Sequence, residues 1–136
     1  MMNYLVRLML VCMLMIGSML MIKAAPAYAA EAMQMWKCEL MDDTTEEEVI
    51  AMAQEWLKAA KTMKGGENFE LSLFFPVAVD KTGEIDFLMV VTAPSFAEWG
   101  KFWDGYEGSP ASKVDQGSAS IAICPDSALW EEVEIK

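Results

Sequence analysis

The sequence contains no histidine in 136 residues. That absence removes Ser-His-Asp and Cys-His catalysis, histidine proton shuttling, and the commonest zinc and iron sites. There is also no G-x-S-x-G elbow, no Walker loop and no dinucleotide fingerprint. Cysteine is scarce, with three residues and no C-x-x-C pair, so neither a thioredoxin-type redox site nor a zinc knuckle is implied. Basic residues are few: ten Lys and Arg stand against 21 Asp and Glu. Nucleic acid and anionic membrane surfaces both need basic patches, so neither is an expected partner.

The chain also lacks an apolar run long enough to span a bilayer. Leu8 to Ile22 is apolar apart from Gly17 and Ser18, but it is 15 residues long, and a spanning helix needs about 20. A short, singly charged stretch precedes it, ending at Arg7. Lys23 closes it, and Ala27-Tyr28-Ala29 follows, with Pro26 just before to break a helix. This is the layout of a cleavable export signal over residues 1–29. Cleavage at Ala30, or at Glu31 if it slips by one, leaves a single domain over residues 30–136, without a membrane anchor, in a periplasm or outside the cell. A lipoprotein reading fails because Cys12 sits inside the apolar run.

Processing removes Arg7, Lys23 and Cys12. All 21 acidic residues and eight basic ones remain, a net charge of −13, and the charges are dispersed rather than blocked. Solubility explains that acidity. Two cysteines are left, Cys38 and Cys124. An even count in an exported chain implies one disulfide between them, the alternative being two free thiols.

Along the mature chain, Met33 to Met41 alternates as a first strand, with Trp36, Cys38 and Leu40 on its more apolar face. Thr45 and Glu48 have capping-box spacing, and Val49, Ala53, Trp56, Ala60 and Met63 form one helical stripe widened by Ile50 and Leu57. Gly65-Gly66 ends that helix. Phe69 to Val79 has period two, and Pro76 places it at a sheet edge. Asp80 to Gly83 is a turn, after which Ile85 to Thr92 reads as a central strand, apolar on both faces in its later half. Ser95 and Glu98 open a second helix, with Phe96, Trp99, Trp103 and Tyr106 on one face and Phe102 beside them. Gly108-Ser109-Pro110 ends or bends it. Ala111 to Ser118 is either a loop or one more helical turn. Ser120 to Cys124 and Leu129 to Ile135 are both strand-like, and one or both form the last strand.

The order β-α-β-β-α-β implies an α+β, ferredoxin-like fold: a four-stranded antiparallel sheet, order 4-1-3-2, with two helices on one face. In that order the end of the first strand adjoins the start of the last, which suits a Cys38–Cys124 bridge. The helix-free face is too apolar for water, so a second subunit, a ligand or both should cover it.

The element order, the size and the helix Ser95-Phe-Ala-Glu-Trp-Gly-Lys-Phe-Trp-Asp-Gly-Tyr106 resemble the dimeric α/β-barrel superfamily. That group includes cofactor-free monooxygenases of antibiotic biosynthesis, haem-degrading enzymes, stress-responsive barrel proteins and many exported proteins. The resemblance spans about residues 33–135. It implies a homodimer formed sheet to sheet, and an apolar ligand held between sheet and helices. It carries over no catalytic residue. Haem-binding members typically use a histidine, so haem ligation of that kind is excluded here, and no cofactor is expected.

Within this frame Trp99, Phe102, Trp103 and Tyr106 are the candidates to line an apolar pocket, set against ordinary core packing. Two acidic groups, Asp42-Asp43 with Glu46 and Asp80 with Glu84 and Asp86, lack EF-hand spacing. Helix capping explains the first and a solvated hairpin turn the second, so no metal is expected. The leading expectation is a non-catalytic binding or accessory protein. The alternative is a cofactor-free, monooxygenase-like enzyme on an apolar organic substrate. A third reading, from the charge, is an interaction module for a cationic partner.

Overall fold

The computed structural model describes residues 30–78 and 85–133. The expected export signal, the expected Asp80–Gly83 turn with Glu84, and residues 134–136 lie outside the described residues. Four strands and three helices follow in the order β1 (Glu31–Leu40), α1 (Glu46–Ala60), β2 (Glu70–Phe74), β3 (Phe87–Ala93), α2 (Phe96–Asp104), α3 (Pro110–Gly117) and β4 (Ala122–Glu132). The sheet is antiparallel with order β2-β3-β1-β4. This is the expected 4-1-3-2 order read from the other edge, and it makes β1 and β3 the central pair.

Local chemistry explains where the helices begin. Thr45 caps α1 in a full capping box: its hydroxyl accepts from the Glu48 N–H at 3.3 Å, and its own N–H donates to the Glu48 carboxylate at 2.9 Å. Such a cap is worth about 1 kcal/mol. Ser95 caps α2 by accepting from the Glu98 N–H at 3.2 Å. The segment left open between loop and helix is α3, capped by Ser109 with Pro110 in its first turn. Pro110 therefore starts a helix, because the first helical position has no N–H to lose.

The edges depart from the expectation. β2 is an edge strand, but it stops at Phe74, so Pro76 lies past its end rather than within it. At the other edge the two strand-like stretches are one continuous strand, with Pro125 inside it. The β1–β4 register slips between Lys37 and Glu39, leaving one extra residue on β4 near Pro125. A bulge on an edge strand is where a residue without an N–H is tolerated.

The core lies between the sheet and the helices. Ala32, Trp36 and Cys38 from β1, Phe87 and Val91 from β3, and Val49, Trp56 and Ala60 from α1 meet there. Phe69, Phe87 and Phe102 are its largest fully buried side chains, each contributing roughly 1.5–3 kcal/mol on burial. Leu57 packs against this core, but Ile50 is exposed and does not widen the stripe. Gly65 has φ +92°, and a Cβ there would stand 2.5 Å from the Glu98 carbonyl oxygen. α1 ends at Ala60 with Lys61 as its C-cap, so Gly65-Gly66 does not end it as expected; the pair instead lets α2 lie directly on the chain that leaves α1.

Cys38 and Cys124 are joined by a disulfide that spans 86 residues and ties β1 to β4. Trp36 faces the helices with Met89 and Leu73, its partners across the sheet. The other face carries Met33, Met35, Leu88, Val90, Phe74 and Trp130 by register. Val90 is buried among its neighbours, whereas Phe74 and Trp130 are each 55 % exposed. Among the described residues no helix is long and apolar enough to cross a membrane.

Candidate functional site

α2 ends at Asp104, so Tyr106 lies just past it rather than on it, and the aromatic residues of this stretch divide into two groups. Phe102 is fully buried and packs on Phe69 at 4.7 Å and Trp56 at 5.8 Å between ring centroids. It is a core residue. Trp99 is half-buried and leans on Trp103 at 6.1 Å. Phe96 is exposed. Trp103 and Tyr106, with centroids 4.5 Å apart, line a cavity between the sheet and the helices.

That cavity has a volume of about 360 Å³. Its walls come from all three helices and three of the four strands. β1 supplies Trp36, with its ring 6.3 Å from Trp103, β3 supplies Met89, and α1 supplies Met52 and Trp56. Asp115 of α3 and Ser118 just after it border it, and the start of β4 closes it with Ala122, Ile123 and Cys124. Two of the four expected pocket residues, Trp103 and Tyr106, therefore line it. Trp99 and Phe102 do not.

The residues missed from the sequence are Trp36, Met52, Trp56, Met89 and Asp115. Trp36 and Trp56 carried a signal, since each sits on the apolar face of its own element. Nothing local marks Met52, Met89 or Asp115.

Polar chemistry in the cavity centres on Tyr106. The Trp56 indole N–H donates to its hydroxyl at 3.5 Å. Burial raises the phenol above its ordinary pKa of 10.0; the Trp56 bond works against that and the nearby Asp115 carboxylate reinforces it. Tyr106 therefore stands as a neutral phenol at physiological pH, a hydrogen-bond donor rather than a base. Two indole N–H groups among the described residues, Trp99 Nε1 and Trp103 Nε1, are buried without an acceptor. Leaving such a donor unsatisfied costs about 1–3 kcal/mol. Among the described residues no three His, Cys, Asp or Glu side chains cluster as metal ligands do.

No protein-family model and no curated protein matches the chain. Solved structures do. A hydroxynitrile lyase from Passiflora edulis aligns over 80 % of this chain and 98 % of its own, at 9 % identity and a TM-score of 0.55. A protein of Arabidopsis thaliana aligns over 79 % of this chain and 96 % of its own, at 6 % identity and a TM-score of 0.52. The fold is ferredoxin-like. At these identities the likeness is one of backbone architecture, and activity does not travel with architecture. A dimeric ferredoxin-like protein from Thermobifida fusca aligns more loosely, with 14 % identity, 78 % of this chain, 92 % of its own and a TM-score of 0.47.

Proposed function

We propose that the protein is an exported, non-catalytic binding or accessory protein, a homodimer that holds a small ligand of largely apolar surface between its sheet and helices. The observation that carries this reading is the cavity of about 360 Å³ walled by Trp36, Trp56, Trp103 and Tyr106. Its size falls at the lower end of small-molecule sites, and its walls are apolar with a few polar groups, as such sites require. The disulfide and the N-terminal signal pattern support export. The apolar patch of Met35, Leu88, Val90, Phe74 and Trp130 on the helix-free face supports the dimer.

Mass spectrometry of the native protein purified from its own host tests the reading. The expected result is two chains with a small molecule that is lost on Trp103→Ala substitution. A ligand-free chain of one subunit's mass would count against both parts.

The alternative is a cofactor-free enzyme on an apolar organic substrate. Tyr106 favours it, as a neutral phenol at the cavity wall able to give a proton. That a lyase of Passiflora shares the fold shows the architecture admits catalysis. The missing histidine and the weak basicity of Tyr106 leave no base beside it except Asp115, which keeps binding as the preferred reading.

A further inference from the structure

The walls of the cavity select among ligands. Trp36, Trp56, Trp103 and Tyr106 present aromatic surfaces, and the exposed carboxylate of Asp115 stands at its edge. The face of an aromatic ring carries negative potential, so several rings around one space attract a cation. The carboxylate adds to that field, and it lies close enough to act on the Tyr106 hydroxyl. A neutral apolar ligand gains nothing from Asp115 and strips water from it at a cost. Among the described residues no Lys or Arg lines the cavity.

We propose that the cavity takes a small, fully alkylated ammonium ion, its alkyl groups against Trp36, Trp103 and Tyr106 and its charge paired with Asp115. Such an ion is apolar over most of its surface, so the inference deepens the binding function proposed above and rests on it. A primary ammonium fits less well, because its three N–H donors each need an acceptor. Besides Asp115, the side-chain acceptors in the lining are the hydroxyls of Tyr106 and Ser118. Tyr106 already accepts from Trp56. An alkylated ammonium has no N–H to satisfy and sheds its water more readily.

Calorimetric titration of the purified protein with choline and with 3,3-dimethylbutan-1-ol, in which a carbon replaces the charged nitrogen, tests this. Choline should bind at least about tenfold tighter than the alcohol. Asp115→Asn, at an exposed position, should weaken choline about fivefold and leave the alcohol unchanged or slightly tighter. Asp104→Asn, on α2 and outside the cavity lining, should alter neither. If the alcohol binds as tightly as choline, or D115N weakens both equally, the cation assignment is wrong and the binding reading stands. If neither molecule binds, the cation assignment falls. Native mass spectrometry then decides the broader reading separately, by whether any ligand accompanies the protein.

Discussion

The indole N–H of Trp56 and the hydroxyl of Tyr106, 50 residues apart in the chain, meet at 3.5 Å on the cavity wall. Trp56 lies on α1 and Tyr106 two residues past the end of α2, and neither local pattern calls for the contact. It exists because α1 and the end of α2 lie on the same face of one sheet.

Removing the hydroxyl should show what this contact does. Tyr106→Phe leaves the Trp56 N–H, on a side chain only 4 % exposed, without an acceptor. The expected loss is about 1 kcal/mol, at the low end for an orphaned donor because the bond is long. Urea unfolding of the two proteins measures it.

Tyr106 also sets an alkaline limit. Its folded pKa is raised, first by burial, above the ordinary 10.0. Folded and unfolded chains are both protonated at this group below pH 10, so its contribution is intact there. As pH rises from 10 through the folded value, the unfolded chain loses the proton first and stability falls. Unfolding free energy followed from pH 8 upward should drop more steeply for the wild type than for Y106F.

The Cys38–Cys124 bond closes a loop with a sequence separation of 86. In the chain-entropy model that loop is worth about 4.6 kcal/mol. A reductant, or the double substitution of both cysteines by alanine, should lower the melting temperature by many degrees. Thermal unfolding with and without reductant tests it, and an unchanged midpoint would contradict it.

Gly65→Ala should destabilise the protein by more than the roughly 1 kcal/mol of a helix glycine change. The substitution would demand a positive φ from alanine and press its Cβ on the Glu98 carbonyl and the Phe102 amide. Gly108→Ala is the contrast, since it has positive φ but open space around it. Denaturant midpoints for the two variants separate conformational strain from collision.

The helix-free face should pair two chains. Phe74 and Trp130, on the two edge strands, are exposed there on either side of Met35 and Val90. Sedimentation equilibrium should give twice the subunit mass, and Phe74→Glu with Trp130→Glu should give a folded monomer by circular dichroism. A monomeric wild type would mean that this face is covered by something else.

The first strand, both capped helices and the central strand were legible because each is a local pattern. Period two, period 3.6 and a capping side chain act within a few residues and need no knowledge of the rest of the chain. The extent of the edges was not legible. The sequence pattern puts Pro76 inside an edge strand and Pro125 between two strand-like stretches, yet Pro76 lies past a strand and Pro125 within one, at a bulge. Ladder pairing with a distant partner decides that, and pairing is not local. The candidate site was half legible for the same reason. Trp103 and Tyr106 stood out as part of an aromatic helix, but the rotation of α2 about its axis decides which rings enter the core. Phe102 does, over Gly65-Gly66, and this turns Trp103 and Tyr106 toward Trp36 and Trp56. By itself the sequence determined the elements, the apolar faces and the absence of histidine chemistry. Only the packing of three helices on one sheet decided that residues 36, 56, 103, 106 and 115 should share a cavity, because contact between elements depends on side-chain volumes far apart in the chain.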